Sequence, residues 1–105
     1  MALSTTSGEQ ITLAEAQQFA RSFRIKFPND IKGSFIGADN LKLILDQQGC
    51  IGIRCYNGYD DANARMNLIL VGVDDRENDM TNGIIMERLL PCPRYCNSTS
   101  PLFNV

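Results

Sequence analysis

The chain has 105 residues, and its ten basic and twelve acidic side chains give a formal net charge of −2. This is the length of one domain, and a slightly acidic chain without a cluster of Lys and Arg is not a typical nucleic-acid-binding protein. The chain contains no histidine, which excludes catalytic triads with an imidazole base, metal sites with His ligands and histidine pH switches.

The beginning of the chain is small and polar, and we expect residues 1–10 to form a flexible tail before a single domain over 11–105. It has no basic segment followed by an apolar one, so it does not resemble a secretion signal. The longest apolar run, Leu68 to Val73, is far shorter than a membrane span. We therefore expect a cytoplasmic protein with no membrane contact, whose cysteines are free thiols or metal ligands rather than disulfides.

The first helix is predicted over 13–27. Thr12 and Glu15 have the spacing of a capping box, in which each side chain bonds the backbone N–H of the other residue. Pro28 ends the helix. Apolar side chains recur at helical spacing and predict one stripe that faces a core: Ala16, Phe19, Ala20, Phe23 and Phe27.

A second helix is predicted from an N-cap at Asp39 through Gln48, with Gly49 in the left-handed position that follows many helices. Leu41, Ile44 and Leu45 share one face of this helix. Leu43 points elsewhere, so it contacts a second neighbour or lies at the surface.

Three strands are predicted after the helices. Apolar and polar residues alternate over 50–56, a continuous apolar run over 66–73 is typical of a central strand, and a third run covers 84–90. Polar turns are predicted at 57–63 and 74–79, and an irregular Pro- and Cys-containing segment follows Leu90. The predicted fold class is α+β, with two helices packed on a small, mainly antiparallel three-stranded sheet.

The four cysteines are the residues best suited to unusual chemistry. Cys92 and Cys96 are close enough along the chain for one metal ion or one disulfide, and Cys50 is a possible third ligand. Cys50 and Cys55 should face opposite sides of their strand unless a bulge near Gly52 intervenes. Small, semi-buried thiols explain all four more simply, and we expect no cofactor.

The acidic residues of the two predicted turns are better explained as solvated hairpin ends than as a site. The cluster at 74–79 fails as an EF-hand loop because Met80 stands where a glycine is required.

Several segments together resemble a known group of proteins: Gly49 to Arg54, Tyr59-Asp60, Leu68 to Asp74 and Pro91 to Cys96. In these segments the chain is similar to small single-domain proteins of Bacteroidota bacteria to which no function is assigned. The resemblance extends from Ile11 to the end of the chain. It implies a bacterial, cytoplasmic protein and transfers no catalytic residue.

The sequence favours a non-enzymatic module that associates with itself or with another protein. Apolar side chains exceed what two helices on three strands can cover, and the edges of a small sheet need pairing or protection. We expect a homo-oligomer, in the form of a symmetric dimer, a ring or a filament. The candidate interface residues are Leu43, Ile84, Leu90, Tyr95, Leu102 and Phe103.

Two other functions stay open at this point. One is a metal-binding or thiol-redox site at Cys50, Cys92 and Cys96. The other is an acidic inhibitor or immunity-type protein that neutralises a basic partner, which a net charge of only −2 supports weakly.

Overall fold

A computed structural model describes residues 2–105 and confirms the predicted α+β fold class. Within those residues the helices are α1 (Leu13–Lys26) and α2 (Ala38–Leu45), and the strands are β1 (Gly33–Phe35), β2 (Cys50–Asp60), β3 (Arg65–Asp74), β4 (Ile85–Met86) and β5 (Leu90–Cys92). None of the helices in this described part is long and apolar enough to cross a membrane.

The chain divides into two compact units. The first combines the N-terminal residues through Gly8 with Ile36–Leu89, and the second combines Glu9–Phe35 with Leu90–Val105. The single domain over 11–105 and the flexibility of residues 1–10 stay predictions.

The first unit is built on an antiparallel sheet with the strand order β2-β3-β4. Strand β3 is central, as its continuous apolar run predicts, and helix α2 packs against β2 and β3. Among the described residues the buried hydrophobic core consists of Ile44 from α2 and Leu70, Val71 and Val73 from β3. Burial on both sides of a strand explains why the run is apolar at successive positions.

A β-bulge at the start of β2 decides which side chains share a face. Cys50 lies opposite Asp74 and Gly52 lies opposite Val73, so Ile51 is an additional residue without a partner. Cys55 lies opposite Leu70. Because Leu70 and Asp74 are four residues apart on β3, Cys50 and Cys55 lie on the same face of the sheet. Regular alternation predicts that the two cysteines face opposite sides, and the bulge reverses this for Cys50.

Helix α2 is shorter than predicted and begins differently. Its N-cap is Gly37, which has no side chain to bond the first turn, rather than Asp39, and its last residue is Leu45 rather than Gln48. Gln47 lies beyond the helix and donates from Nε2 to the Ile44 carbonyl at 2.9 Å. This bond satisfies a carbonyl that continuation of the helix would have satisfied.

The second unit begins with α1, whose capping box is confirmed. Thr12 accepts from the backbone N–H of Glu15 at 3.1 Å, and the Glu15 carboxylate accepts from the Thr12 N–H. The helix ends at Lys26. The unit also contains an antiparallel pair of strands, β1 and β5, with Ser34 opposite Pro91. The sequence indicated an extended piece near Ser34 but no strand partner for it.

The predicted apolar stripe of α1 does not face a core. No residue of this described helix is buried, and Phe19 and Phe27 are 68% and 51% exposed. Ala16, Ala20 and Phe23 are half-buried. The helical period was predicted correctly, but periodicity shows only that residues share a face and not what covers that face.

The residues that follow β5 are attached to the rest of the second unit by polar contacts and by one covalent bond to β5. Arg24 donates to the carbonyls of Leu102 and Phe103, and Gln17 donates to that of Pro101. Cys92 and Cys96 form a disulfide with a Cα–Cα distance of 4.8 Å.

Candidate functional site

Strand β2 is longer than the sequence indicates, and it forms one edge of its sheet. The predicted turn at 57–63 is wrong in its first half, because β2 continues to Asp60 and pairs with β3 throughout. The connection to β3 is short, with Ala64 at a φ of 51°. Asp60 shapes it by accepting from the backbone N–H and the side-chain amide of Asn63.

Two hydrogen bonds determine the direction of the backbone groups in β3. The Met80 N–H donates to the Gly72 carbonyl at 2.8 Å, and the Asp74 N–H donates to the Asn78 carbonyl at 3.0 Å. Both bonds lie on the side of β3 away from β2, where Asp79 forms a bridge with Val73. Because successive residues of a strand direct their N–H and C=O groups to opposite sides, the odd-numbered residues over 67–73 direct theirs toward β2.

The same alternation assigns the backbone groups of β2. Its even-numbered residues over 52–60 lie opposite odd-numbered residues of β3 and direct their N–H and C=O groups toward them. Its odd-numbered residues therefore direct theirs away from the sheet: Ile53, Cys55, Asn57 and Tyr59. In the part of the chain that the structure describes, none of these four takes part in a backbone hydrogen bond outside the sheet ladder. We call this row of outward N–H and C=O groups the β2 edge.

Two polar side chains of β2 extend across β3 rather than toward the β2 edge. Arg54 and Tyr56 both donate to the carboxylate of Asp79, which lies on the far side of β3. Their side chains therefore cross the face of the sheet that carries Val71 and Val73. This crossing is consistent with the burial of both valines and keeps these two side chains away from the β2 edge.

In the cluster of Arg54, Tyr56 and Asp79, the pKa of each side chain is shifted in the direction that favours the protonation state needed for the hydrogen bonds. The hydrogen bond from Tyr56, supported by Arg54, lowers the pKa of Asp79. The hydrogen bond to Asp79 raises the pKa of Tyr56 and also that of Arg54. At neutral pH the cluster therefore combines a carboxylate, a guanidinium and a neutral phenol.

The two halves of β2 differ in what lies beside them. Residues 51–54 and the N-terminal segment Leu3 to Ser7 line a common cavity of about 270 Å³. The second half is open: Cys55 and Asn57 are exposed, and Tyr56 and Tyr59 are 46% and 60% exposed. The accessible part of the β2 edge is therefore the stretch from Cys55 to Asp60.

The three cysteines of the predicted metal site are not brought together as thiolates. Cys92 and Cys96 are bonded to each other, whereas Cys50 and Cys55 are free. Within residues 2–105 there is no group of three or more Cys, Asp or Glu side chains that could hold a metal ion. The expectation that the cysteines are free thiols or metal ligands is corrected for Cys92 and Cys96, whose short separation allows a disulfide. Cys50 instead lies close to the backbone of Gly72.

The predicted interface residues fall into both units. In the first unit, Leu43 is exposed on α2 and Ile84 is half-buried. In the second unit, Leu90 begins β5 opposite Phe35. The other three predicted interface residues, Tyr95, Leu102 and Phe103, line a cleft of about 220 Å³ in that unit. Arg24 and Lys32 lie over the Phe103 ring in this cleft. None of the six lies on the β2 edge, and their role as an interface stays a prediction.

Sequence reasoning missed the residues of the β2 edge. The signal was weak, because the alternation of Ile53 and Cys55 is interrupted by the polar Asn57 and resumes only at Tyr59. It was masked by Asn57 and Gly58, which are residue types that favour turns.

None of the known protein-family models, curated proteins or solved structures matches this chain.

Proposed function

We propose that this protein is a non-enzymatic association module that binds a second copy of itself through the β2 edge. The observation that supports the proposal is the direction of the backbone groups of Cys55, Asn57 and Tyr59. They present a row of N–H and C=O groups that another strand can pair with.

The composition of the accessible edge favours pairing. Soluble proteins usually protect such an edge with lysine, proline or a very short strand. The stretch from Cys55 to Asp60 contains neither lysine nor proline, and β2 is 11 residues long. Its single bulge lies at the opposite end, between Cys50 and Gly52. The part of the edge that is open is thus also the part that is regular.

A second copy is a suitable occupant because a strand can pair antiparallel with itself. Such pairing places the same surface of each copy in the contact, which closes a two-fold dimer. The two three-stranded sheets would then become one six-stranded sheet, in which the β2 edge of each copy is paired.

Proline substitution at Asn57 tests this function. We expect Asn57→Pro to remove the outward N–H and to weaken self-association strongly, without removing a bond between β2 and β3. The matched control is Asn57→Ser, which keeps the backbone N–H and should associate like the wild type. Light scattering over a concentration series, with circular dichroism as a check of folding, measures the difference. A wild-type protein that is monomeric at all concentrations would contradict the proposal.

A further inference from the structure

We propose that two copies pair their β2 strands about a two-fold axis at Asn57, with Arg54 of each copy opposite Asp60 of the other. This inference rests on the proposed function and names the register of the interface. The charges of β2 support it, because Arg54 and Asp60 are the only charged residues of the strand. In an antiparallel pair of identical strands, they lie opposite each other only when the axis passes through their midpoint, which is Asn57.

The charges around this position alternate in sign. Asp60 lies opposite Arg65 within its own chain, and Arg54 bonds Asp79 within its own chain. Pairing about Asn57 would place the backbone position of Arg54 of the second copy opposite Asp60, while its guanidinium keeps Asp79 of its own chain as its bonded partner. Like charges directly opposite each other are unfavourable, so this register is preferred over those that place Arg54 opposite Arg54 or Asp60 opposite Asp60.

The accessible length of the strand agrees with the same axis. Pairing about Asn57 uses residues 54–60 of each copy. These residues overlap only at Arg54 with the part of β2 beside the N-terminal segment. An axis nearer the start of β2 would bring the second copy against Leu3 to Ser7 and against the bulge at Cys50 and Gly52.

The register determines which residues of the two copies lie opposite each other. Tyr56 lies opposite Gly58, which has no side chain, and Tyr56 is also held across its own sheet by Asp79. Cys55 lies opposite Tyr59, and Asn57 lies opposite itself. Cys55, Asn57 and Tyr59 are the positions with outward backbone groups. Together they form about six N–H···O=C bonds between the two copies.

Cysteine cross-linking tests the axis directly. A residue on the axis faces the same residue of the second copy at a Cα–Cα distance of about 5.5 Å. This distance lies within the range of a disulfide. We expect Asn57→Cys, made in a Cys55→Ser background, to form a disulfide-linked dimer under mild oxidation. Tyr59→Cys in the same background faces a serine and should not cross-link. Tyr59→Cys with Cys55 retained should cross-link, because each thiol then faces the other.

The outcomes separate the register from the function. The Cys55→Ser background alone shows whether Cys50 contributes to cross-linking, and light scattering of the same reduced samples shows whether they associate. If every variant forms dimers but Asn57→Cys does not cross-link, the register is overturned while self-association stands. Equal cross-linking at positions 57 and 59 in the Cys55→Ser background would also overturn it. Monomers throughout would overturn the proposed function itself.

Discussion

Asp79 holds the side chains of Arg54 and Tyr56 across the face of the sheet in the first unit. It accepts hydrogen bonds from Arg54 and Tyr56, which lie 25 and 23 residues earlier in the sequence. The acidic cluster around it was interpreted as a solvated hairpin end, and four of its six residues are exposed. The bonds of Asp79 were not predictable, because they depend on the register of β2 on β3 and on the bridge to Val73.

Substitution of Asp79 should change the pH dependence of stability at both ends of the range. The pKa of Asp79 is lowered, so its contribution is present above the usual carboxyl range and is lost as pH falls through the lowered pKa. The pKa of Tyr56 is raised, so its contribution is present below the usual phenol range and is lost as pH rises through the raised pKa. Asp79→Asn should therefore differ most from the wild type near neutral pH.

Urea denaturation of the wild type and Asp79→Asn across pH measures this difference. The control is Asp75→Asn, which changes a neighbouring exposed carboxylate that makes no side-chain bond within the described residues. A difference between wild type and Asp79→Asn that stays constant from acid to alkaline pH would contradict the role given to the cluster.

At the scale of elements, Gln47 connects the end of α2 to the beginning of the β4 segment. Its Nε2 donates to the Ile44 carbonyl, and its Oε1 accepts from the Ile84 N–H, both at 2.9 Å. Glycines at positions 72 and 83 leave room for this side chain, since a Cβ at either position would lie within 3 Å of it. The sequence placed Gln47 inside a helix and could not indicate this connection.

Gln47→Ala should lower the free energy of unfolding by about 1–3 kcal/mol, because it removes both bonds and leaves the half-buried Ile84 N–H without its acceptor. Gln48→Ala is the matched control, since Gln48 is exposed and its side chain makes no hydrogen bond within residues 2–105. Chemical denaturation of the two variants measures the difference. Equal stabilities would show that the Gln47 side chain does not join the two elements.

The elements that the sequence predicted well are those whose ends are determined locally. Helix α1 begins with a capping box and stops before Pro28, and both signals lie within a few residues of the ends. Strand β2 was cut short because Asn57 and Gly58 favour turns, although pairing with β3 keeps them extended. Strand β5 was missed because it contains a proline and pairs with residues far earlier in the chain.

At the scale of the whole molecule, composition and pattern were sufficient for the α+β class but not for the location of the proposed interface. The sequence directed attention to uncovered apolar side chains, and many are exposed, including Phe19 and Leu43. The proposed interface is instead made of backbone groups, which every sequence contains. Only the strand order and the direction of each N–H group single them out.

Amide hydrogen exchange measured by NMR at several protein concentrations tests the central claim most directly. In a dimer joined at the β2 edge, the amides of Cys55, Asn57 and Tyr59 are bonded to the second copy. We predict that their protection rises with concentration, while the exposed turn amide of Asp75 exchanges at a constant rate. Rapid, concentration-independent exchange at all three edge amides would contradict the account.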